Sequence, residues 1–512
     1  MESPTDKRLI TPLYTAEQVR ELDRIAIEQE GIPGVQLMKR AGRSAFEAAL
    51  EAFPEAQKLV VLCGSGNNAG DGYVVAALAA SKCMAVELIQ VGDESKLGDD
   101  AQQALAFAKD QGLELKSWAG DLPEDADLIV DALLGTGFSS LNADKTPTEF
   151  LAAMQAANAS AAPTLALDLP SGLDANTGSA LPDAIRAEQT ITFIGIKRGL
   201  LTGRGPALCG QLHFDDLQVN TELQADIQTE VCELDLSAAA LALSHREADA
   251  HKGLFGHVMV IGGDAGMGGA PLMAVEVAAR VGAGLVSVAT RPEHVAAILA
   301  RRPEAMVSGV TSGQGLEPLL SRPSVLVVGP GLGRSAWSEQ VLQQALKAQL
   351  PMILDADGLN ILGEGRILPE AHRDNWILTP HPGEAARLLK CSTAEVQGDR
   401  FAAVRALQKT YGGVVVLKGA GTLIASEAST IYLSTAGNPG MASGGMGDVL
   451  SGILGALLAQ GLSLSEAAEL GVGLHSAAAD RVAGESGQHG MLATDLIPHV
   501  HDVINQLLDS RA

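Results

Sequence analysis

The feature that most constrains this chain is a repeated unit in which a short, wholly apolar run stops abruptly at glycines, an acid or a lysine. Lys58-Leu59-Val60-Val61-Leu62-Cys63 leads into Gly64-Ser65-Gly66, Leu128-Ile129-Val130 ends on Asp131, and Thr164-Leu165-Ala166-Leu167 ends on Asp168. Farther along, Val258-Met259-Val260-Ile261 meets Gly262-Gly263, and Val325-Leu326-Val327-Val328 meets Gly329-Pro330-Gly331-Leu332-Gly333. Met352-Ile353-Leu354 meets Asp355, Trp376-Ile377-Leu378 meets Thr379-Pro380-His381, and Val414-Val415-Val416-Leu417 meets Lys418-Gly419-Ala420-Gly421-Thr422. Runs this short and this apolar are strands buried on both faces, the condition of a parallel sheet covered by helices. The predicted fold class is α/β and doubly wound, with the polar groups that end the strands gathered along a separate crevice in each half.

Composition supports that reading and limits the partners. Apolar residues make up 46% of the chain but aromatics only 3%, and there are 57 glycines, so helices can approach the strands closely. A length of 512 residues exceeds what one core serves. The pattern weakens between Leu217 and Ala250, which predicts a boundary near residue 225 and domains of 1–225 and 226–512. A net charge of −25 excludes nucleic acid or an anionic membrane as the main partner. Phosphorylated ligands must then be held by local amides and a few cations. The five cysteines are scattered and odd in number, which fits a reducing cytoplasm and neither a disulfide framework nor a zinc site. The N-terminal residues lack a targeting pattern and no apolar run reaches membrane-spanning length, so a cytoplasmic protein is expected. The Ala-rich surfaces are compatible with a homo-oligomer.

Two loops carry the chemistry. Asn438-Pro439-Gly440-Met441-Ala442-Ser443-Gly444-Gly445-Met446-Gly447-Asp448 runs into an apolar helix from Val449, a combination that suits an anion at a helix N-terminus. Asp448 there is a candidate base, the alternative being a simple helix cap. In the first half, Thr15 and Gln18 have the spacing of a capping box, and Gly64 to Gly72 reads as a glycine loop before a helix from Tyr73. Each acid that ends a strand is, alone, as readily a turn former; their joint placement predicts that Asn68, Asp131 and Asp168 share a site. Oxygen ligands from Asn, Asp and Ser suit a hard cation. The strand-end acids Asp355 and Asp357 have, as the plainer alternative, a role as turn formers before Gly358.

Asn67-Asn68-Ala69-Gly70-Asp71-Gly72, Val130-Asp131 through Gly137, and Asp168-Leu169-Pro170-Ser171-Gly172-Leu173-Asp174 together resemble the YjeF N-terminal family of NAD(P)H-hydrate epimerases. The resemblance implies a Rossmann-like three-layer domain that interconverts the R and S forms of hydrated NADH and NADPH. It implies substrate contacts at Asn67, Asn68, Ala69, Gly70 and Asp71, at Gly135, Thr136, Gly137, Phe138, Ser139, Ser140 and Leu141, and at Asp168. It further implies potassium ligands at Asn68, Asp131 and Ser171. From about residue 245 onward, His251-Lys252-Gly253, Gly329 to Gly333, Asp355-Ala356-Asp357-Gly358, Thr379 to Glu384, Lys418 to Thr422 and Gly444 to Asp448 resemble the ribokinase-like NAD(P)H-hydrate dehydratases. There the resemblance implies hydrate contacts at Ala270, Gly333, His381 and Asp448, and nucleotide contacts at Lys418, Gly419, Ala420, Gly421, Thr422 and Gly447. Families fused in this order are similar to bacterial bifunctional repair enzymes that use ADP, with ATP left open.

The chemistry these resemblances imply can be written out. Asp168 is the expected acid/base of epimerisation. Hydroxide leaves a ring poorly, so phosphorylation of the ring hydroxyl by ADP, with Asp448 as base and magnesium on the phosphates, gives a leaving group that the ring nitrogen can expel. The products expected are NAD(P)H, AMP and phosphate. Two rivals stay open: an ordinary small-molecule kinase in the second half, and a non-catalytic nucleotide-binding module in the first.

Overall fold

The computed structural model describes residues 11–220, 227–368 and 371–510. The chain divides into two compact units that meet in sequence at Val231 and Cys232. The boundary expected near residue 225 falls among residues 221–226, outside the described residues.

The first unit is built on a seven-stranded sheet. Its strands are β1 (Lys58–Cys63), β2 (Ala85–Gln90), β3 (Leu115–Ser117), β4 (Leu128–Ala132), β5 (Thr164–Leu167), β6 (Gln189–Phe193) and β7 (Gln211–Asp215). They lie in the order β3-β2-β1-β4-β5-β6-β7, every pair parallel. Chain order reverses between β1 and β4, and a crevice opens where the loops after those strands part. Val60, Val61, Leu62 and Cys63 are fully buried, as a strand covered on both faces requires.

Helix α1 (Ala16–Glu28) begins at the expected capping box, with the Thr15 side chain on the Gln18 amide and the Gln18 side chain on the Thr15 amide. Helix α2 (Gly34–Ala52) follows. Helix α3 runs from Asn67 to Ser81, so the stretch expected as loop up to Gly72 is already helical. The reason is packing: a Cβ on Gly70 would lie 2.3 Å from the Met38 sulfur and one on Gly72 2.6 Å from the Ala132 Cβ. Those glycines seat a helix against its neighbours rather than form a turn.

In the second unit the strands from His257 onward are β8 (His257–Ile261), β9 (Leu285–Thr290), β10 (Met306–Gly309), β11 (Val325–Val328), β12 (Met352–Leu354), β13 (Trp376–Leu378), β14 (Val414–Leu417), β15 (Thr422–Ala425) and β16 (Ile431–Ser434). Their order is β16-β15-β14-β13-β12-β11-β8-β9-β10. Strands from β10 to β14 are mutually parallel, whereas β14, β15 and β16 pair antiparallel, a hairpin edge the sequence reading did not foresee. Positive φ at Gly419 and Gly421, +140° and +65°, lets the chain reverse directly after β14.

Helix α4 (Met446–Ala459) is mostly apolar and buried nearly throughout. A Cβ on Gly452 would sit 2.2 Å from the Ala274 carbonyl oxygen, and one on Gly455 2.5 Å from Val327. The helix is therefore wedged between the sheet and the helix Gly269–Val281, with its first turn fixed in place. Among the described residues, no helix is long and apolar enough to cross a membrane.

Candidate active sites

At the crevice of the first unit lies a cavity of about 670 Å³. Asn67, Asn68, Asp71, Gly135, Thr136, Gly137, Phe138, Ser139 and Asp168 all line it, as the sequence led us to expect. Ala69 and Gly70 instead face the helix packing, Ser140 is tied through its amide and hydroxyl to Asp174, and the Leu141 side chain is exposed to solvent.

Asp168 ends β5 with a left-handed backbone, φ +66°, a conformation that Asp tolerates better than most side chains. The carboxylate forms a short ion pair with the ammonium of Lys197, which follows the neighbouring strand β6 and is 1% exposed. Lys197 also donates to Thr192 Oγ1 and to the Phe193 carbonyl oxygen, both at 3.0 Å, so its three N–H bonds are all spent. Two further acids share the cavity. Burial, with Asp168 and Asp23 close by and Lys197 opposing, pushes the Asp71 carboxyl well above the carboxylate range. Asp23 on α1 is pushed up to about 6, chiefly by burial, against the pull of Lys197. Sequence reasoning missed Lys197 and Asp23; the glycine turn Phe193-Ile194-Gly195-Ile196-Lys197 after a strand was the available signal for the first.

The expected cation ligands sit just beneath. Asp131 is fully buried, accepting from Ser171 Oγ at 2.6 Å, from the Ser171 amide at 2.8 Å and from the Leu133 amide at 3.2 Å. Burial pushes its carboxyl up to about 6 despite those bonds. Asn68 donates to the Leu134 carbonyl oxygen at 3.3 Å, while its own Oδ1 is buried without a hydrogen-bond partner. A buried acid beside an orphaned amide oxygen fits a hard, oxygen-seeking cation.

In the second unit, β11 to β14 bring their polar ends together. Asp355, 1% exposed, accepts from Lys418 Nζ and Thr379 Oγ1, each at 2.8 Å, and from Ser451 Oγ at 3.0 Å. This acid, for which the sequence also allowed a turn-forming role, makes no side-chain cap bond to its helix. Lys418 thus turns inward to Asp355. A Cβ on Gly447 would lie 3.1 Å from Asp355 Oδ2 and 3.2 Å from Lys418 Nζ, so the first turn of α4 rests on this pair. Asp448, next along, has its carboxyl pushed up to about 7 by burial and by Asp355, with Lys418 opposing. The amides of that turn have no helical carbonyl to bond and favour an anion.

His381 caps the helix Pro382–Leu389: its Nδ1 accepts from the Gly383 amide at 2.9 Å, and its Nε2 lies 3.4 Å from Glu384. Burial and then Lys418 hold this imidazole below its usual range. Ala270 packs beside Gly331, where an added Cβ would lie 3.1 Å from the Ala270 Cβ, and the Gly333 amide donates to Asp357 at 3.1 Å. Arg400, 1% exposed, lies beneath the Lys418–Thr422 turn and donates to the carbonyl oxygens of Leu417, Lys418 and Gly421. No pattern in the sequence singled it out.

Two α/β units, each gathering acids, a lysine and glycine turns at the carboxyl ends of its strands, define an acid–base enzyme of the nucleotide-handling class. The family model described as YjeF-related protein N-terminus matches residues 34–199, and that described as NAD(P)H-hydrate dehydratase matches residues 258–501. The chain is 49% identical over 496 residues to the bifunctional NAD(P)H-hydrate repair enzyme of Coxiella burnetii, covering 97% of this chain and 100% of that one. To the Escherichia coli enzyme of the same name it is 44% identical, over 96% of this chain and 94% of that one. A crystal structure of a ribokinase-like superfamily protein from Enterococcus faecalis superposes with a TM-score of 0.50 and 29% identity, covering 55% of this chain and 98% of that one. The chain belongs to the family of bifunctional NAD(P)H-hydrate repair enzymes.

Proposed function

We propose that the first unit epimerises R- and S-NAD(P)HX and that the second dehydrates the S form with ADP, giving NAD(P)H, AMP and phosphate. The observation that carries the reading is the placement of Asp448 in the first turn of α4, against the buried Asp355–Lys418 pair. Asp448 would take the proton of the ring hydroxyl as that oxygen attacks the terminal phosphate of ADP. The turn Lys418 to Thr422 and the Gly447 amide would hold the nucleotide, while Ala270, Gly333 and His381 would hold the hydrate.

Potassium would be held by Asn68, Asp131 and Ser171, where it would neutralise the buried Asp131 and give Asn68 Oδ1 a partner. Among the described residues no three His, Cys, Asp or Glu side chains could together hold a metal ion. Magnesium would enter on the nucleotide phosphates, where it would neutralise charge. The cysteines are all free, which supports a reducing, cytoplasmic setting. A homo-oligomer, compatible with the Ala-rich surfaces, is part of the same reading.

The deciding experiment adds racemic hydrate and ADP to the whole chain and follows dihydronicotinamide absorbance. Complete conversion is expected; a stop at half conversion would remove the epimerase, and a stable phosphorylated hydrate would favour a simple kinase. A second expectation concerns pH. Asp448 must be ionised to act, and its carboxyl titrates at about 7. The kcat/KM for dehydration of S hydrate should therefore rise as pH increases through that value and level off above it. A flat profile between pH values of about 5.5 and 8.5 would argue against this role for Asp448.

A further inference from the structure

The cavity of the first unit holds more acid than its one expected base accounts for. Asp23, Asp71 and Asp168 all line it, and the Lys197 ammonium, buried in its wall, has spent every N–H bond on Asp168, Thr192 and Phe193. Arg20, also on the wall, donates to the Thr136 carbonyl oxygen at 3.2 Å and sits toward solvent, and Asp100 and Lys145 lie elsewhere on the rim. Three carboxylates around one committed ammonium repel one another, which favours a proton on one of them. The buried ammonium bonds Asp168 and not Asp71. Asp71, on the first turns of α3, is the neighbour that burial and both other acids press hardest toward the neutral form.

We propose that Asp71 is the proton donor of the epimerisation, paired with Asp168 as base, and that Lys197 is the positioning residue that keeps the two roles apart. This rests on the epimerase reading of the first unit. The Asp168 carboxylate takes the proton of the ring hydroxyl, and the oxygen's electron pair forms a C=O bond. The bond from that carbon to the ring nitrogen breaks, its electron pair goes to the nitrogen, and the nitrogen receives the proton of Asp71. Rotation about the adjoining carbon–carbon bond turns the other face of the aldehyde to the nitrogen. Re-addition then returns one proton to Asp71 while the oxygen recovers the other from Asp168. Nothing is consumed, and each acid finishes as it began. Two carboxyls held in opposite protonation states by their surroundings are what such an exchange needs.

The test uses the full chain with racemic hydrate, ADP and magnesium. Wild type is expected to convert everything; Asp71→Asn is expected to convert the S half at the wild-type rate and the R half at least about 100-fold more slowly. Asp71→Glu, which keeps a carboxylic acid, is expected to recover at least about tenfold over Asp71→Asn, a rescue that a purely structural role would not give. Because the donor must hold its proton, wild-type epimerisation should fall at high pH, and that fall should vanish from the residual rate of Asp71→Asn. The unfolding transition of the first unit identifies a variant that has lost its fold, and in that event the wild-type alkaline limb and Asp71→Glu decide. An R-form rate within fivefold of wild type in Asp71→Asn, or an unchanged alkaline limb, would overturn the proposal. A wild-type chain that leaves the R half untouched would instead refute the epimerase reading beneath it.

Discussion

Changing Asp448 to Asn is expected to lower kcat for dehydration of the S hydrate by about 10³-fold, within the range that loss of a general base produces. Asparagine keeps the size and the polar contacts of the side chain but cannot take the hydroxyl proton. Its amide leaves the first turn of α4 intact, because that turn is capped by Gly445 in a left-handed conformation and not by Asp448. ADP should accordingly bind with an affinity close to wild type, as calorimetry on the variant can show. The epimerase rate, measured as loss of the R form in the same protein, should not move. A dehydration rate within tenfold of wild type would mean that Asp448 acts as a structural acid and that another group takes the proton.

Changing Asp355 to Ala is expected to destabilise the second unit by about 3–5 kcal/mol, the usual result of leaving one member of a buried ion pair without its partner. Asp355 receives hydrogen bonds from Lys418, Thr379 and Ser451, so the change strands an ammonium and two hydroxyls at once. Urea unfolding of the second unit should show the loss as a lower midpoint. Adding Lys418→Met should recover much of it, because the desolvated charge leaves with its partner. Dehydration should be lost in both proteins. A single variant whose midpoint matches wild type would show that water or Glu384 replaces the missing carboxylate.

The strands were legible because burial on both faces leaves a plain mark: Lys58–Cys63, Val325–Val328, Trp376–Leu378 and Val414–Leu417 appear where the apolar runs lie. Glycines were harder. Gly70 and Gly72 look like loop residues in sequence, yet they serve contacts with Met38 and Ala132, which no local pattern encodes. The expected residues of the first cavity came out largely together because strand ends in a parallel sheet must converge. Lys197, Asp355 and Arg400 did not, since each acts through a partner distant in sequence. Asp355 meets Lys418 across 63 residues and Arg400 meets Leu417 across 17, separations that periodicity cannot reveal. Asp448 was found through its loop, but its raised carboxyl depends on burial and then on Asp355, both of which only the fold displays.

By donating to the carbonyl oxygens of Leu417, Lys418 and Gly421, Arg400 holds the Lys418–Thr422 turn in shape before any guest arrives. Ordering a slack backbone would tax an incoming nucleotide by about 1–2 kcal/mol for each residue stilled. Here that toll is levied once, during folding, and the turn greets each new visitor in its receiving posture.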